Sequence, residues 1–322
     1  MQYLDELDKR ILMELQYDFP RDAYPFDIVA ERLDMRVDEL LDRVGFLYRT
    51  GILKRIGFYV NYRGIGLKAA LIAYESKGQV EELAEIYARD KLATHVYLRD
   101  HPVYDVWVVT KRKTLDDLVK HASEVSSTLG VGHIVLFSKR TYKLSVKFDL
   151  YKGVSRSGGY SLISISPPSP EAFGIYPSQL RLFRKLDASR EPYRRIAEEL
   201  GLSQEETASL AWKLVDAGLL GDPGAALDGK KIGFEENAMV VMEPAGDEDA
   251  FCRMAVSLPY TTHVVLRGSI PEGAWTHTCY FMVHAVDKDR IKSLIDDAVV
   301  KMRPRSFMVL RSLADLKPGT LR

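Results

Sequence analysis

Apolar residues recur at helical spacing three times within the first fifty positions. Leu7, Ile11, Leu12 and Leu15 mark one helix, ended at Phe19-Pro20 because a residue before proline is pushed out of the helical region. Phe26, Ile28, Val29 and Leu33 mark a second. Val37, Leu40, Leu41, Val44 and Leu47 mark a third, stopped by Gly51. Residues 52–59 then read as a β-wing, and three short helices plus a wing predict a winged helix-turn-helix. From Lys68 the period changes. Strands are expected at 69–74, 93–98, 104–110 and 133–138, the last extended by 144–149, with helices at 80–87 and 115–126. The order β-α-β-β-α-β predicts a ferredoxin-like unit.

The same programme restarts after a stretch rich in Gly, Ser and Pro. Helices are expected at 180–186, 193–200 and 205–215, then a strand at 238–243, a helix at 249–256, a hairpin within 262–286, a helix at 290–299 and a strand at 307–310. Gly51-Ile52-Leu53 returns as Gly218-Leu219-Leu220, 167 residues on. Thr94-His95-Val96-Tyr97-Leu98-Arg99 returns as Thr262-His263-Val264-Val265-Leu266-Arg267, 168 residues on. Near-equal offsets mean a tandem duplication with almost no insertion, and a pseudo-dimer within one chain is the natural outcome. The fold class is therefore α+β, a tandem repeat of winged helix-turn-helix plus ferredoxin-like domain. The expected boundaries are 1–62 and 63–150, a linker at 151–174, then 175–232 and 233–322. The two ferredoxin-like units are expected to pair through the sheet faces their helices leave open, where Leu71 and Val106 or Val108 would otherwise stay wet.

Composition narrows the function classes. The 322 residues hold 45 Lys+Arg against 45 Asp+Glu, so bulk charge gives no pull toward nucleic acid or an anionic membrane. Cys252 and Cys279 are the only cysteines and have no metal-ligand spacing, so free thiols, no bound metal and a cytoplasmic location are expected. The N-terminal residues are acidic without an apolar signal core, and no run approaches the ~18 apolar residues a membrane span needs. The third helix of each helix-turn-helix, which would enter a DNA groove, is net acidic. Asp38, Glu39 and Asp42 stand against Arg43 and Arg49; Glu205, Glu206 and Asp216 stand against Lys213. A DNA-reading helix needs net positive charge, so DNA binding is not expected.

The repeated motif carries the chemistry. In a strand, residues i, i+2 and i+4 share a face, so His95, Tyr97 and Arg99 lie together, as do His263, Val265 and Arg267. A lone histidine in a sheet is ordinarily a core residue. Two at equivalent positions, each with an arginine on its face, favour a proton-transfer group beside an anion-binding fork. His101 and His277 fall in or beside the hairpins and are candidate second donors. His277 and His284 are expected on opposite faces of one strand, with one of them structural. His121 and His133 have no repeat partner and read as bland. Tyr97, Tyr104 and Trp107 are as suited to a core as to stacking on a flat ligand.

A winged helix followed by a ferredoxin-like domain resembles the Lrp/AsnC regulators in both halves. Leu7-Asp8-Lys9-Arg10-Ile11-Leu12, Pro25-Phe26, Lys54-Arg55-Ile56-Gly57, and the His95 motif followed by Tyr104-Asp105-Val106-Trp107 are similar to one subunit of the siroheme decarboxylases. Gly233-Phe234, Asn237-Ala238-Met239, the His263 motif, Trp275 to His284, and Val309-Leu310-Arg311-Ser312 are similar to the other, as in a fused form. Asp105, Val265 and His277 depart from the family pattern, which has Asn, Tyr and Tyr there. The resemblance implies loss of CO2 from two acetate side chains of siroheme to give 12,18-didecarboxysiroheme. It implies His95 and His263 as proton donors. Arg99, Arg267, Tyr97, His101, Tyr104, Trp107, Trp275 and His277 are implied to bind substrate. No cofactor is implied beyond the iron tetrapyrrole itself, and further homo-oligomerisation is compatible with the family. The alternative is an Lrp/AsnC-type DNA-binding regulator sensing haem or an amino acid.

Overall fold

A computed structural model describes residues 4–157 and 166–318. The first helix-turn-helix comprises α1 (Glu6–Tyr17), α2 (Pro25–Arg32) and α3 (Val37–Arg49), followed by strand β1 (Leu53–Val60). Asp5 and Asp8 close a capping box on α1. The first ferredoxin-like unit runs β2 (Lys68–Glu75), α4 (Val80–Arg89), β3 (His95–Arg99), β4 (Val106–Arg112), α5 (Leu115–Leu129) and β5 (Gly132–Thr141). Thr114 and Asp117 cap α5 at its start, and Gly130 ends it at φ 67. Residues 144–149 do not extend β5. They carry β6 (Lys147–Asp149), which turns back to pair with β7 (Val154–Arg156). The expected linker thus begins as a small hairpin; its central part, 158–165, lies outside the described residues.

The second half follows with α6 (Arg194–Leu200), α7 (Gln204–Asp216) and β8 (Leu220–Leu227). Its ferredoxin-like unit is β9 (Glu236–Glu243), α8 (Glu248–Ser257), β10 (Thr262–Ile270), β11 (Cys279–Ala285), α9 (Lys288–Met302) and β12 (Ser306–Asp315). Its first expected α-helix is instead a 3₁₀ helix, Pro177–Arg184, begun by Pro177. Cys252 and Cys279, expected as free thiols, are joined in a disulfide, because α8 lies on β11 with the two Cα atoms 5.5 Å apart.

The halves interlock at two levels. The wings β1 and β8 pair antiparallel, with Gly57 opposite Gly224. A Cβ on Gly224, at φ 114, would strike the Leu15 carbonyl, so the close approach of wing to α1 requires glycine there. One apolar core runs through both helix-turn-helix units, from Leu12, Phe26 and Leu47 to Phe183, Tyr193 and Trp212. At the second level the eight core strands close into a ring, β2-β4-β3-β12-β9-β11-β10-β5 and back to β2. The seams between halves are β3–β12 and β5–β10. Replacing each strand by its repeat partner reproduces the order four places on. The pseudo-two-fold therefore runs along the barrel axis, and equivalent loops share one end.

Strand alternation divides the side chains. Leu71, Ala73, Trp107, Ile134, Leu136, Met239, Val241, Val265, Tyr280 and Leu310 fill the barrel. Eight strands enclose just enough space for side chains, so the interior is a core and not a channel. The expected pairing through open sheet faces is thus present, with Leu71 in it. Val106 and Val108 are not part of it: they point outward under α4 and α5. The ring closes edges as well as faces, so no open strand edge remains between the two units.

Candidate active site

The sequence-selected residues line the barrel interior or sit in the loops at its ends. The loops 100–105 and 271–278 share the end away from the helix-turn-helix units. His101, Tyr104, Trp107, Trp275 and His277 meet there. Trp275 has ring centroids 5.6 Å from His101, 6.0 Å from Tyr104, 5.9 Å from Trp107 and 5.8 Å from His277. The cluster is a packed plug. Trp107 is fully buried and its indole N–H donates to the Tyr104 carbonyl at 2.6 Å. His101 Nδ1 accepts from the backbone N–H groups of Val103 and Tyr104, and His277 Nε2 lies 2.9 Å from Ser306 Oγ. His277 is in the loop and His284 on β11, so the two do not share a strand as expected.

The opposite end faces the wings and carries two mouths related by the pseudo-two-fold. The first is built around His95, whose Nδ1 lies 2.9 Å from Thr94 Oγ1. Lys111, inward-facing on β4 after Trp107 and Val109, places Nζ 3.4 Å from the same hydroxyl. Burial pushes Lys111 down to about 8, helped by the neighbouring Arg184 and Arg181. Tyr62 lies between the cations, with Arg63 5.2 Å and Lys111 6.0 Å from its ring centre. Arg267 reaches this neighbourhood from the other half; burial lowers its pKa, and Tyr280 and Tyr62 oppose that. Lys111, Arg63 and Arg267 have no carboxylate partner among the described residues.

The second mouth gathers Arg99, His263 and His284. Burial alone pushes His263 down to about 4. His284 falls to about 3 through burial, with His263 and Arg99 adding repulsion. His263 Nδ1, His284 Nε2 and Arg99 Nε are buried without a partner. Burial holds Arg99 at about 10, so it stays charged at neutral pH. His263 takes φ 51 at a register break in β10, and strained backbone of this kind clusters at functional sites. The mouth is partly closed by Phe148, 5.7 Å from His284 and 4.6 Å from Phe234.

Each arginine also stitches the seam. Arg99 Nη1 donates to the Leu310 carbonyl at 2.9 Å, and Arg267 Nη1 donates to the Leu136 carbonyl at 3.0 Å. His95, Tyr97 and Arg99 do share a face, with His95 and Arg99 both against the Tyr97 ring. Yet the charge of Arg99 is felt by His284 of the second half, so its site draws on both repeats. Lys111, Tyr62, Arg63, Arg184 and His284 were not selected from the sequence. Lys111 and His284 were visible as polar residues at inward parity, after Trp107 and Val109 in one case and Tyr280 and Met282 in the other.

The helix-turn-helix surfaces are spent on each other. Arg190 binds Asp38 at 2.9 Å, Arg21 pairs with Asp216, and Tyr24 with Glu205. Gln204 donates to the Ala23 carbonyl at 2.7 Å. No helix is long and apolar enough to cross a membrane among the described residues.

Comparison with known proteins agrees with this architecture. The AsnC-like ligand binding domain matches residues 64–143 and 231–317, and the siroheme decarboxylase NirDL-like HTH domain matches residues 8–53. The siroheme decarboxylase NirDL subunit of Paracoccus pantotrophus is 24% identical over 88% of this chain and 86% of its own. The siroheme decarboxylase of Hydrogenobacter thermophilus is 24% identical over 97% of this chain and 93% of its own. The crystal structure of the siroheme decarboxylase NirDL superposes with TM-score 0.66 at 22% identity, over 97% of this chain and 92% of that one. The same protein has been solved with an iron-uroporphyrin III analogue. The chain belongs to the family of the AsnC-like ligand binding domain, carried twice in tandem, behind a helix-turn-helix of the siroheme decarboxylase NirDL-like type.

Proposed function

We propose that this protein is a siroheme decarboxylase, a carboxy-lyase that removes CO2 from two acetate side chains to give 12,18-didecarboxysiroheme. The observation that carries the reading is the set of buried and half-buried cations at the two barrel mouths, Lys111, Arg63 and Arg267 at one and Arg99 at the other, which have no carboxylate within ion-pair distance among the described residues. A buried unpaired cation is costly, and a polycarboxylate substrate would remove that cost on binding. The nearly full-length likeness to siroheme decarboxylases supports the choice of polycarboxylate.

Arg99 and Arg267 would hold carboxylates through their fork of N–H donors. Both are already aimed by a backbone carbonyl across the seam, which leaves the rest of the fork for substrate. Loss of CO2 leaves an electron pair on a carbon conjugated with the macrocycle, which serves as the electron sink. One proton per carboxylate must then return to that carbon, from His95 at the first mouth and His263 at the second. Tyr97 braces His95 and Arg99 on one strand face. Tyr104, Trp107, Trp275, His101 and His277 would form the floor that closes the far barrel end, which redefines the binding role expected for them. The tetrapyrrole iron belongs to the substrate, and no other cofactor is required.

The regulator alternative lacks support, because the acidic third helices are engaged with the opposite helix-turn-helix. Anaerobic incubation with siroheme, followed by mass spectrometry, tests the proposal: loss of two carboxyl groups is expected, and unchanged siroheme would refute it.

A further inference from the structure

At the first mouth three residues form a connected chain from one half. Thr94 Oγ1 lies 2.9 Å from His95 Nδ1 and 3.4 Å from Lys111 Nζ. Among the described residues the competing acceptor for the hydroxyl is the Val109 carbonyl, at 3.4 Å. We infer that Lys111 delivers a proton through the Thr94 hydroxyl to Nδ1 of His95 as Nε2 gives its own to the substrate, so that a neutral His95 donates without becoming an anion. The inference rests on the decarboxylase reading and adds to it the source of the proton.

Each carboxylate lost consumes one proton, and at the first mouth His95 supplies it. A bound macrocycle would cover the mouth, so the negative charge that a neutral imidazole would otherwise be left with is best neutralised from the side of the histidine away from the substrate. The transfers balance. His95 gives the proton on Nε2 to the carbon that lost CO2. Nδ1 takes the hydroxyl proton of Thr94, and Thr94 takes one from the Lys111 ammonium, which is left as a neutral amine. Once the product leaves, a solvent proton taken up at Nε2 sends the Nδ1 proton back through Thr94 and restores the Lys111 ammonium. A donor works best when its pKa lies near ambient pH, and Lys111 is depressed to about 8, chiefly by burial. The groups facing it are Arg184 and Arg181 on the 3₁₀ turn, Tyr62 after β1, and Asp90 before β3. The two arginines favour proton release, and Asp90 opposes it.

The second mouth lacks this chain. Thr262 Oγ1 donates to the Met282 carbonyl at 3.2 Å, His263 Nδ1 has no partner, and His284 occupies the position equivalent to Lys111. β10 carries a register break between Thr262 and Val265, with His263 at φ 51, where the pairing of β3 with β4 has none.

The test uses the full chain with Thr94→Val, Thr94→Ser and Lys111→Met, measuring anaerobic CO2 release from siroheme against pH. The parental kcat should fall as pH rises above about 8, where Lys111 loses its proton. Thr94→Val should lower kcat roughly tenfold to a hundredfold with KM little changed, a fraction of what loss of a general acid costs. Thr94→Ser should restore it, and Lys111→Met should lack the alkaline limb. Parental kcat in Thr94→Val, or an unchanged limb in Lys111→Met, would overturn the relay. Long-range proton–nitrogen NMR of His95 decides the linkage without turnover: Thr94→Val should shift the ring toward the other tautomer. If the parental protein releases no CO2, the decarboxylase reading falls; a His95 tautomer unmoved by Thr94→Val overturns the relay by itself.

Discussion

Acid should weaken this protein through the second mouth more than through its surface. His263 and His284 sit at about 4 and about 3 against an ordinary 6.5. Their folded pKa values are depressed, so between 6.5 and the folded values the unfolded chain binds protons that the folded chain refuses. Stability is therefore fully present above 6.5 and is lost as pH falls through that window. From about pH 7.5 to about pH 5, each such histidine gives up about 2 kcal/mol at full effect. Both side chains keep some contact with solvent, and the two repel each other, so about 1 kcal/mol for removing one of them is the working figure. The assay is urea denaturation of the parental chain and His284→Gln at both pH values. The variant should lose about 1 kcal/mol less on acidification, whatever its stability at neutral pH. Carboxylate titrations are common to both chains and cancel in the difference. An identical pH dependence in the two chains would mean that the pair is not held neutral by burial, and the reasoning for this mouth would fail. The same depression predicts that a polycarboxylate binding at neutral pH brings protons with it, readable as a buffer-dependent heat of binding.

Two further outcomes follow from the seams. Arg99→Ala and Arg267→Ala should each weaken binding of iron-uroporphyrin by about 1.5–3 kcal/mol, roughly tenfold to more than a hundredfold, as a charged hydrogen-bonded pair is lost. Unchanged affinity in both would assign the arginines to architecture alone. Cleaving the chain within 158–165 should leave the halves together on gel filtration, because β3–β12, β5–β10 and the wings β1–β8 all cross between them. Separate monomers would contradict the closed barrel.

The local elements were legible because each obeys a short-range rule. Leu7 to Leu15 keep a helical period, Thr114 and Gly130 punctuate α5, and the repeat of the His95 motif marks the duplication. What was not legible depends on long-range closure. Nothing in residues 53–60 announces that the wing pairs with residues 220–227. Nor does the spacing of His95 and Arg99 reveal that the charge of Arg99 acts on His284 of the other repeat. The period-two pattern also hid the break at His263, since a single positive φ leaves no mark on composition. Cys252 and Cys279 lie on a helix and a strand, and only tertiary packing brings them together. Lys111 was overlooked because a lysine near a strand end ordinarily faces solvent; the barrel mouth and Tyr62 cover it instead.

The central claim is that the two mouths act on the acetate carboxylates of siroheme. Mass spectrometry of siroheme incubated anaerobically with the purified full chain tests it most directly. A product lighter by two carboxyl groups is expected, formed by the parental chain and much more slowly by His95→Ala. Siroheme recovered unchanged from the parental chain, or didecarboxylated product formed at the parental rate by both His95→Ala and His263→Ala, would contradict it.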